Sequence, residues 1–524
     1  MTTTEESPAI DGSYGQANES RHITRGIGSL SIQNVATSAL GFVFLAVLLR
    51  LLPGIDYGVY SALSVSVGIG AVVAPMGLQY AAAKYMANVQ DPGELRSRAK
   101  KIILISTVTS LAAGVIFAIL AGNLSLYFTK SPVWSGVFVI GGIWLFSSSL
   151  SSVVQGTVQG LKRYTSLAGM LFVARAVMLG ITIAGLEITH NLYVSFYAWI
   201  IYFGLLIFWS FRILTSDLSQ RAEFSRNGLE QNLGYRDLLR YSLPLGIAGI
   251  FYVLTTNVDL LVVGGDMGPT TLGVYNTVVT ISNVLNFVLI TPLVTALLPE
   301  ASYRIRNSSE VSNGMRLAIR FVALLVLPTS LLMAALSPQL LALFSGSSKF
   351  QSGAEPLEII AIFYVFFALQ FVIYSILQAK GNTIQVFFIS VISAVTIYGL
   401  SVVLVPDLGL VGASIARSVS AITGMGAAWY LARDFLRSLD RKRFYIKASL
   451  AALIPFGVIW GLTTYLSHTV WTIFPYAPLG ALIFLACLYV LKVLNEEDLA
   501  YLSSVLPLWI SKKFGAFARQ KANF

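Results

Sequence analysis

Four ionisable side chains interrupt long apolar runs. Arg50 closes one run, and Arg175 (in LFVARAVML), Asp259 (in TTNVDLLVVGG) and Arg417 (in SIARSV) lie inside others. Arginine stays charged and presents a planar fork that matches phosphate oxygens. Two or three arginines around one hollow would therefore suit an anionic headgroup. A carboxylate inside a membrane helix costs about 2.5–3.5 kcal/mol by insertion scales, so its retention at 259 needs a reason. Three remain open: it faces water between two bundles, it ties to an arginine as a structural link, or it takes up a coupling proton.

Polar residues accompany these charges at helical spacing. Tyr252, Thr255, Thr256 and Asp259 follow i, i+3, i+4, i+7; Asn276, Thr280, Asn283 and Asn286 share a second face; Ser148, Ser152, Gln155 and Gln159 form a third; Asn34, Thr37, Ser38 and Gly41 form a fourth. Such faces line a wet cavity or hydrogen-bond neighbouring helices at roughly 0.6–2 kcal/mol each. Four of them in one chain favour the cavity. The expected substrate cavity thus comprises Arg175, Arg417, Asp259, Arg50, Asn34, Gln155, Gln159, Asn276 and Asn283.

The elements that carry these residues must cross a membrane. Of 524 residues, 56% are hydrophobic and 11% charged, against about 25% charged in soluble proteins. Mean hydropathy is +0.75. The single cysteine, Cys487, excludes a disulfide framework, and none of the three histidines has a second ligand at helical spacing. No catalytic group, cofactor or resident metal is expected.

Apolar windows of roughly 20 residues, the length of a transmembrane helix, recur near 29–50, 59–83, 102–121, 133–158, 166–186, 191–211, 241–263, 269–298, 317–337, 357–378, 384–405, 409–431, 447–467 and 477–494. Charge tests this map, because Lys and Arg favour cytoplasmic loops. With a cytoplasmic N-terminus, 30 of the 35 basic residues fall in inside segments. The net charge of +11 is then a topology signal, and nucleic acid is not expected as a partner. The fold class expected is an all-α polytopic membrane protein of about fourteen spans. Its parts are a disordered cytoplasmic tail (1–24), a six-helix bundle (25–211), a basic cytoplasmic linker (212–240), a second six-helix bundle (241–435), two further helices (436–495) and an amphipathic cytoplasmic tail (496–524). Prolines 75, 244, 292 and 328 interrupt spans where rocking would need breaks.

The two bundles repeat one another. LLRLLPGIDYGVYSAL (48–63) matches VVGGDMGPTTLGVYNTV (262–278) through GVY at 58–60 and 273–275, and VQGLKRY (158–164) corresponds to LQAKGNT (377–383). The shifts are 215 and 219 residues. An even number of helices per repeat keeps both halves in one orientation, as pseudo-twofold symmetry about the membrane normal requires.

The stretch LLRLLPGIDYGVYSAL resembles the first-loop signature of the polysaccharide-biosynthesis flippases, in the multidrug/oligosaccharidyl-lipid/polysaccharide (MOP) exporter superfamily. NVDLLVVGGDMGPTTLGVY resembles the seventh-helix pattern of the same family, and the resemblance extends over about residues 25–435. It implies a MATE-like pair of bundles that turns a lipid-linked oligosaccharide, carried on a polyprenyl phosphate or pyrophosphate, from inner to outer leaflet by alternating access. It also implies cavity arginines for the phosphate, a role that Arg175 and Arg417 match by position and not by a shared motif. The peptidoglycan-precursor branch has an arginine-aspartate start that is absent from SALGFVFLAVLLR, and the drug-extrusion branch often has an acid where this chain has Gln33 and Asn34. The alternative is an ion-coupled multidrug exporter. A glycan polymerase or ligase fits less well, since the longest outer loop (338–356) offers little beyond Glu355. The partners expected are the lipid-linked substrate, membrane lipids and a coupling proton or sodium ion, with a monomer in the plasma membrane and both termini cytoplasmic.

Overall fold

A computed structural model describes residues 36–87, 89, 91–222, 234–294, 312–346, 348–433, 442–466 and 469–493. The expected tails at 1–24 and 496–524, the centre of the 212–240 linker and Asn34 lie outside the described residues. Contacts divide the chain into two units, 1–277 with 397–409, and 278–396 with 410–524.

The first unit begins with α1 (Ala36–Leu51), then α2 (Gly54–Val73), α3 (Leu78–Met86), α4 (Pro92–Ile119), α5 (Ala121–Thr129), α6 (Ser135–Gly160), α7 (Tyr164–Thr189), α8 (Tyr193–Ala222) and α9 (Tyr235–Met267). It takes in the start of α10 (Pro269–Ser282). Most of each long helix is apolar, as burial in protein plus lipid demands. On α4 the exposed residues Leu104, Val108, Leu111, Val115 and Ile119 form one lipid-facing stripe. Its opposite face buries Leu95, Ala99 and Ile102 among Leu78, Ala82 and Val153 of α3 and α6.

The second unit holds the rest of α10, α11 (Ser312–Phe321), α12 (Leu327–Ala335), α13 (Ser337–Ser345), α14 (Ala354–Ala379), most of α15 (Thr383–Leu431), α16 (Lys442–Tyr465) and α17 (Ile473–Val490). The two additional C-terminal helices pack on α12, burying Leu331, Ala448, Ala451, Ala452, Phe484 and Leu488 together. α14 and α15 are pinned by Gln370 Nε2, which donates to Ser393 Oγ at 2.9 Å, and by Ser420 Oγ, which donates to the Ser393 carbonyl at 2.8 Å.

Among the described residues, twelve helices are long and apolar enough to cross a membrane, and α1 is a shorter apolar helix. α15 runs 49 residues, about 70 Å at 1.5 Å per residue. That is over twice a hydrocarbon core of about 30 Å, so α15 is two crossings bent at Pro406 and Gly409, where φ is 59°. With α1, about fourteen crossings result. The chain is a multi-pass membrane protein, helical through nearly all of its described residues.

The prolines divide into three physical cases. Pro75 ends α2, and the chain turns through left-handed Met76 and Gly77 (φ 50° and 76°) into α3. Pro244 stays inside a continuous α9. Pro292 and Pro328 follow π-turns at Asn286–Ile290 and Val322–Val326. A helical proline leaves the carbonyl four residues earlier without its donor; those carbonyls, at Val288 and Leu324, lie inside the two widened turns. The π-turns thus absorb the defect without breaking the helix.

The repeat also appears in structure that composition left unassigned. Short helices α5 and α13 are nine residues each and begin at 121 and 337. Both end in a left-handed residue, Lys130 and Gly346, and the VQGLKRY/LQAKGNT pair places left-handed Lys162 opposite left-handed Gly381. α13 also makes much of the expected 338–356 loop helical.

Candidate functional site

Within the first unit, the two GVY copies meet. A methyl group on Gly58 would lie 2.1 Å from the Pro269 carbonyl oxygen, and one on Gly273 would lie 3.1 Å from the Gly58 Cα. Only glycine permits this approach of α2 to α10. Three residues on, Asn276 Nδ2 donates to Ser61 Oγ at 3.1 Å. Gly58 with Gly273, and Ser61 with Asn276, are each separated by the repeat shift of 215 residues. Each residue therefore contacts its own counterpart, as in a twofold contact between identical subunits.

The tyrosines that end the two motifs have unlike surroundings. Tyr60 lies among rings of α1, α6 and α8: its centroid is 5.9 Å from Phe196, 6.1 Å from Phe44 and 6.3 Å from Trp144. Its hydroxyl accepts from Trp199 Nε1 at 2.9 Å. Trp199 in turn holds the Arg175 guanidinium over its face at 4.7 Å, with Phe44 at 5.7 Å and Tyr202 at 5.8 Å. Helical spacing places Phe196, Trp199 and Tyr202 on one side of α8. Gly41 on α1 leaves room for the fork, since a methyl group there would sit 3.2 Å from Arg175 Nη2. Among the described residues no carboxylate lies within ion-pair distance of Arg175, and its hydrogen-bond contact is a weak one, to Met178 Sδ at 3.9 Å. Cation–π attraction of about 2 kcal/mol or more for a desolvated pair keeps the charge in place without neutralising it.

Tyr275 stands in the second copy where Tyr60 stands in the first. Its hydroxyl donates to Asp259 Oδ2 at 2.6 Å, and the Leu260 N–H lies 3.0 Å from Oδ1. Asp259 is fully buried. It precedes Tyr275 by the same sixteen residues that separate Phe44 from Tyr60. Thr277 Oγ1 donates to the Gly273 carbonyl at 2.9 Å and lies 3.4 Å from the Tyr57 hydroxyl. One acid, the Asn276 amide and the hydroxyls of Ser61, Tyr57, Tyr275 and Thr277 thus gather beside the glycine contact.

Among the other expected residues, Gln155 is half-buried and its Nε2 donates to Ser151 Oγ at 2.8 Å, while Gln159 and Arg50 are exposed. Asn276 is half-buried in the first unit; Asn283 and Arg417 are half-buried in the second. Several stripe hydroxyls bond back into their own helices: Ser148 to the Leu145 carbonyl, Ser152 to Ser149, Thr255 to Phe251 and Thr256 to Val253. That satisfies them locally and frees them from any need for water. Asp259 and Asn276 each bond within the two motif regions, Asp259 to Tyr275 and Asn276 to Ser61. The ring enclosure of Arg175 was not anticipated; the run FYAWIIYF (196–203), with aromatics three apart, was the signal available.

The fold is similar to those of several solved membrane transporters. The lipid II flippase MurJ in an inward closed conformation matches with a TM-score of 0.73 at 14% identity, over 88% of this chain and 98% of that one. An inward-facing multidrug resistance MATE family transporter matches at 0.58 and 14%, over 78% and 99%. A MOP-superfamily transporter from Pyrococcus furiosus, described as having a binding pocket of reverse polarity, matches at 0.56 and 14%, over 80% and 97%. The profile of the polysaccharide biosynthesis protein family covers residues 47–354, more than half of the chain, and the chain belongs to that family. A second profile, lipid II flippase MurJ, covers residues 250–482. No curated protein sequence matches.

Proposed function

We propose that the chain flips a lipid-linked oligosaccharide on a polyprenyl phosphate or pyrophosphate from the inner to the outer leaflet by alternating access. Membership of the polysaccharide-biosynthesis family supplies the substrate class. The observation that carries the mechanism is Arg175, a cation at membrane depth held by ring faces and without a carboxylate partner among the described residues. Its fork keeps donors for phosphate oxygens, which an ion-paired arginine would have spent. Arg50 in the first unit and Arg417 in the second are further candidate phosphate contacts, with Gln155, Gln159, Asn276, Asn283 and Asn34 as candidate hydrogen-bonding partners for sugar. An apolar groove of about 460 Å³ in the second unit, walled by Ile319, Leu327, Phe363, Phe366, Trp429 and Leu453, suits a hydrocarbon tail.

The functional division follows the sequence repeat, 25–211 against 241–435, with the chain acting as a plasma-membrane monomer whose termini are cytoplasmic. Coupling to a proton or sodium ion belongs to this reading, and Asp259 with Tyr275 is its candidate seat. The same buried acid favours the second reading, an ion-coupled multidrug exporter. Proteoliposomes decide between them. Outer-leaflet exposure of a fluorescent polyprenyl-pyrophosphate oligosaccharide, with no gradient-driven movement of a cationic dye, is the expected result. Dye transport without exposure of the lipid-linked sugar would reverse the assignment.

A further inference from the structure

A cavity of about 520 Å³ opens between α7 and α8, away from the Arg175 rings and toward the 160–164 turn. Gly169, Met170 and Val173 line it from α7; Trp209, Arg212 and Ile213 line it from α8. Both sets recur at three- and four-residue spacing, so two facing helix surfaces make a groove. Its walls belong to two helices long and apolar enough to cross a membrane, Tyr164–Thr189 and Tyr193–Ser219. At its mouth, Arg163 donates from Nε and Nη2 to Asp217 Oδ1 at 3.0 and 2.7 Å. Asp217 is buried and anchors that guanidinium, while Arg212 is exposed nearby. Among the described residues the mouth thus presents the exposed Arg212 beside the Arg163–Asp217 pair.

We propose that this groove is a binding site for an anionic phospholipid, separate from the transport path. The phosphate meets the exposed Arg212, and an acyl chain runs along Met170, Val173, Trp209 and Ile213. A soluble anion would gain nothing from that apolar wall, whereas a lipid spans charge and hydrocarbon in the order found here. The mouth also carries the basic loop ends that the charge distribution assigns to the cytoplasmic face, where anionic lipid attracts basic residues. Gly169 keeps the groove open, because a side chain there would meet nothing within 4 Å.

That open space makes Gly169→Leu a plug that the fold accepts, with better helix propensity than glycine. The test is native mass spectrometry of the full chain in detergent with phosphatidylglycerol, phosphatidylcholine or soluble glycerol phosphate. The wild type is expected to retain one phosphatidylglycerol through delipidation, to release phosphatidylcholine, and to keep its lipid against glycerol phosphate. Arg212→Gln weakens retention about fivefold, the effect of one basic residue near an anionic surface, and Gly169→Leu abolishes it. Equal retention of the two lipids, displacement by glycerol phosphate, or unchanged retention in either variant would overturn the assignment. Flipping activity is not the readout, so this result stands apart from the transport reading.

Discussion

Tyr60 and Tyr275 end the same three-residue motif, follow the same type of tight glycine contact and stand sixteen residues after equivalent positions, yet one adjoins a cation and the other an acid. In the first repeat the position before the turn is Phe44, which helps to build a ring enclosure for Arg175. In the second it is Asp259, held by the tyrosine hydroxyl itself. Duplication supplied one backbone, and side-chain exchange at a few positions gave its halves opposite electrostatic character. A membrane interior makes such exchange consequential, since a charge there persists only with rings, donors or a counter-charge around it.

The sharpest way to break the comparison is at the contact both halves share. Gly58→Ala drives a methyl group into the Pro269 carbonyl and is expected to cost about 3 kcal/mol, the upper end for overpacking. Gly273→Ala meets the Gly58 Cα at 3.1 Å and should cost less. Thermal unfolding in detergent orders the two, and equal Tm values would remove the asymmetry.

Next come the tyrosines. Tyr275→Phe deprives the buried Asp259 of a donor, and about 1.5–3 kcal/mol is expected for a hydrogen bond to a charged group. Tyr60→Phe removes the acceptor of the Trp199 N–H, a bond between neutral groups expected to contribute about 0.5–1.5 kcal/mol. Denaturation of both variants checks the order, and Asp259→Asn in the Tyr275→Phe background should recover part of the larger loss.

The smallest effect lies at the turns. Lys162 is left-handed where its counterpart is Gly381, and a side chain in that conformation costs roughly 1–2 kcal/mol. Lys162→Gly should raise stability by up to about 1 kcal/mol once the added freedom of the unfolded chain is counted. Gly381→Lys should lower it. Opposite shifts in Tm are the expected outcome; shifts of one sign would mean that the two turns are not equivalent.

Much of the fold was legible because crossing a bilayer imposes length, apolarity and charge bias on every helix at once. GVY was legible as a repeat because its glycine is fixed by a backbone contact. The helical character of 121–129 and 337–345 was not, since nine residues are too few to declare a period. The stripe ending at Asp259 was readable as one face of α9, but not what covers it: Tyr252 at its start is 37% exposed and Asp259 is 0% exposed. Spacing along one helix carries no information on which neighbour packs against it. The partners of Arg175 stayed hidden for the same reason, as they come from α1 and α8 and converge only in three dimensions.

The proposed transport mechanism turns on the charge that Trp199, Phe44 and Tyr202 hold in place. The direct test is the initial rate at which reconstituted Arg175→Ala and Arg175→Lys proteins expose a polyprenyl-pyrophosphate oligosaccharide at the far leaflet, measured beside their insertion and Tm. Loss of flipping in Arg175→Ala with partial recovery in Arg175→Lys, both correctly inserted, is the result the account predicts. Wild-type rates in the alanine variant would contradict it.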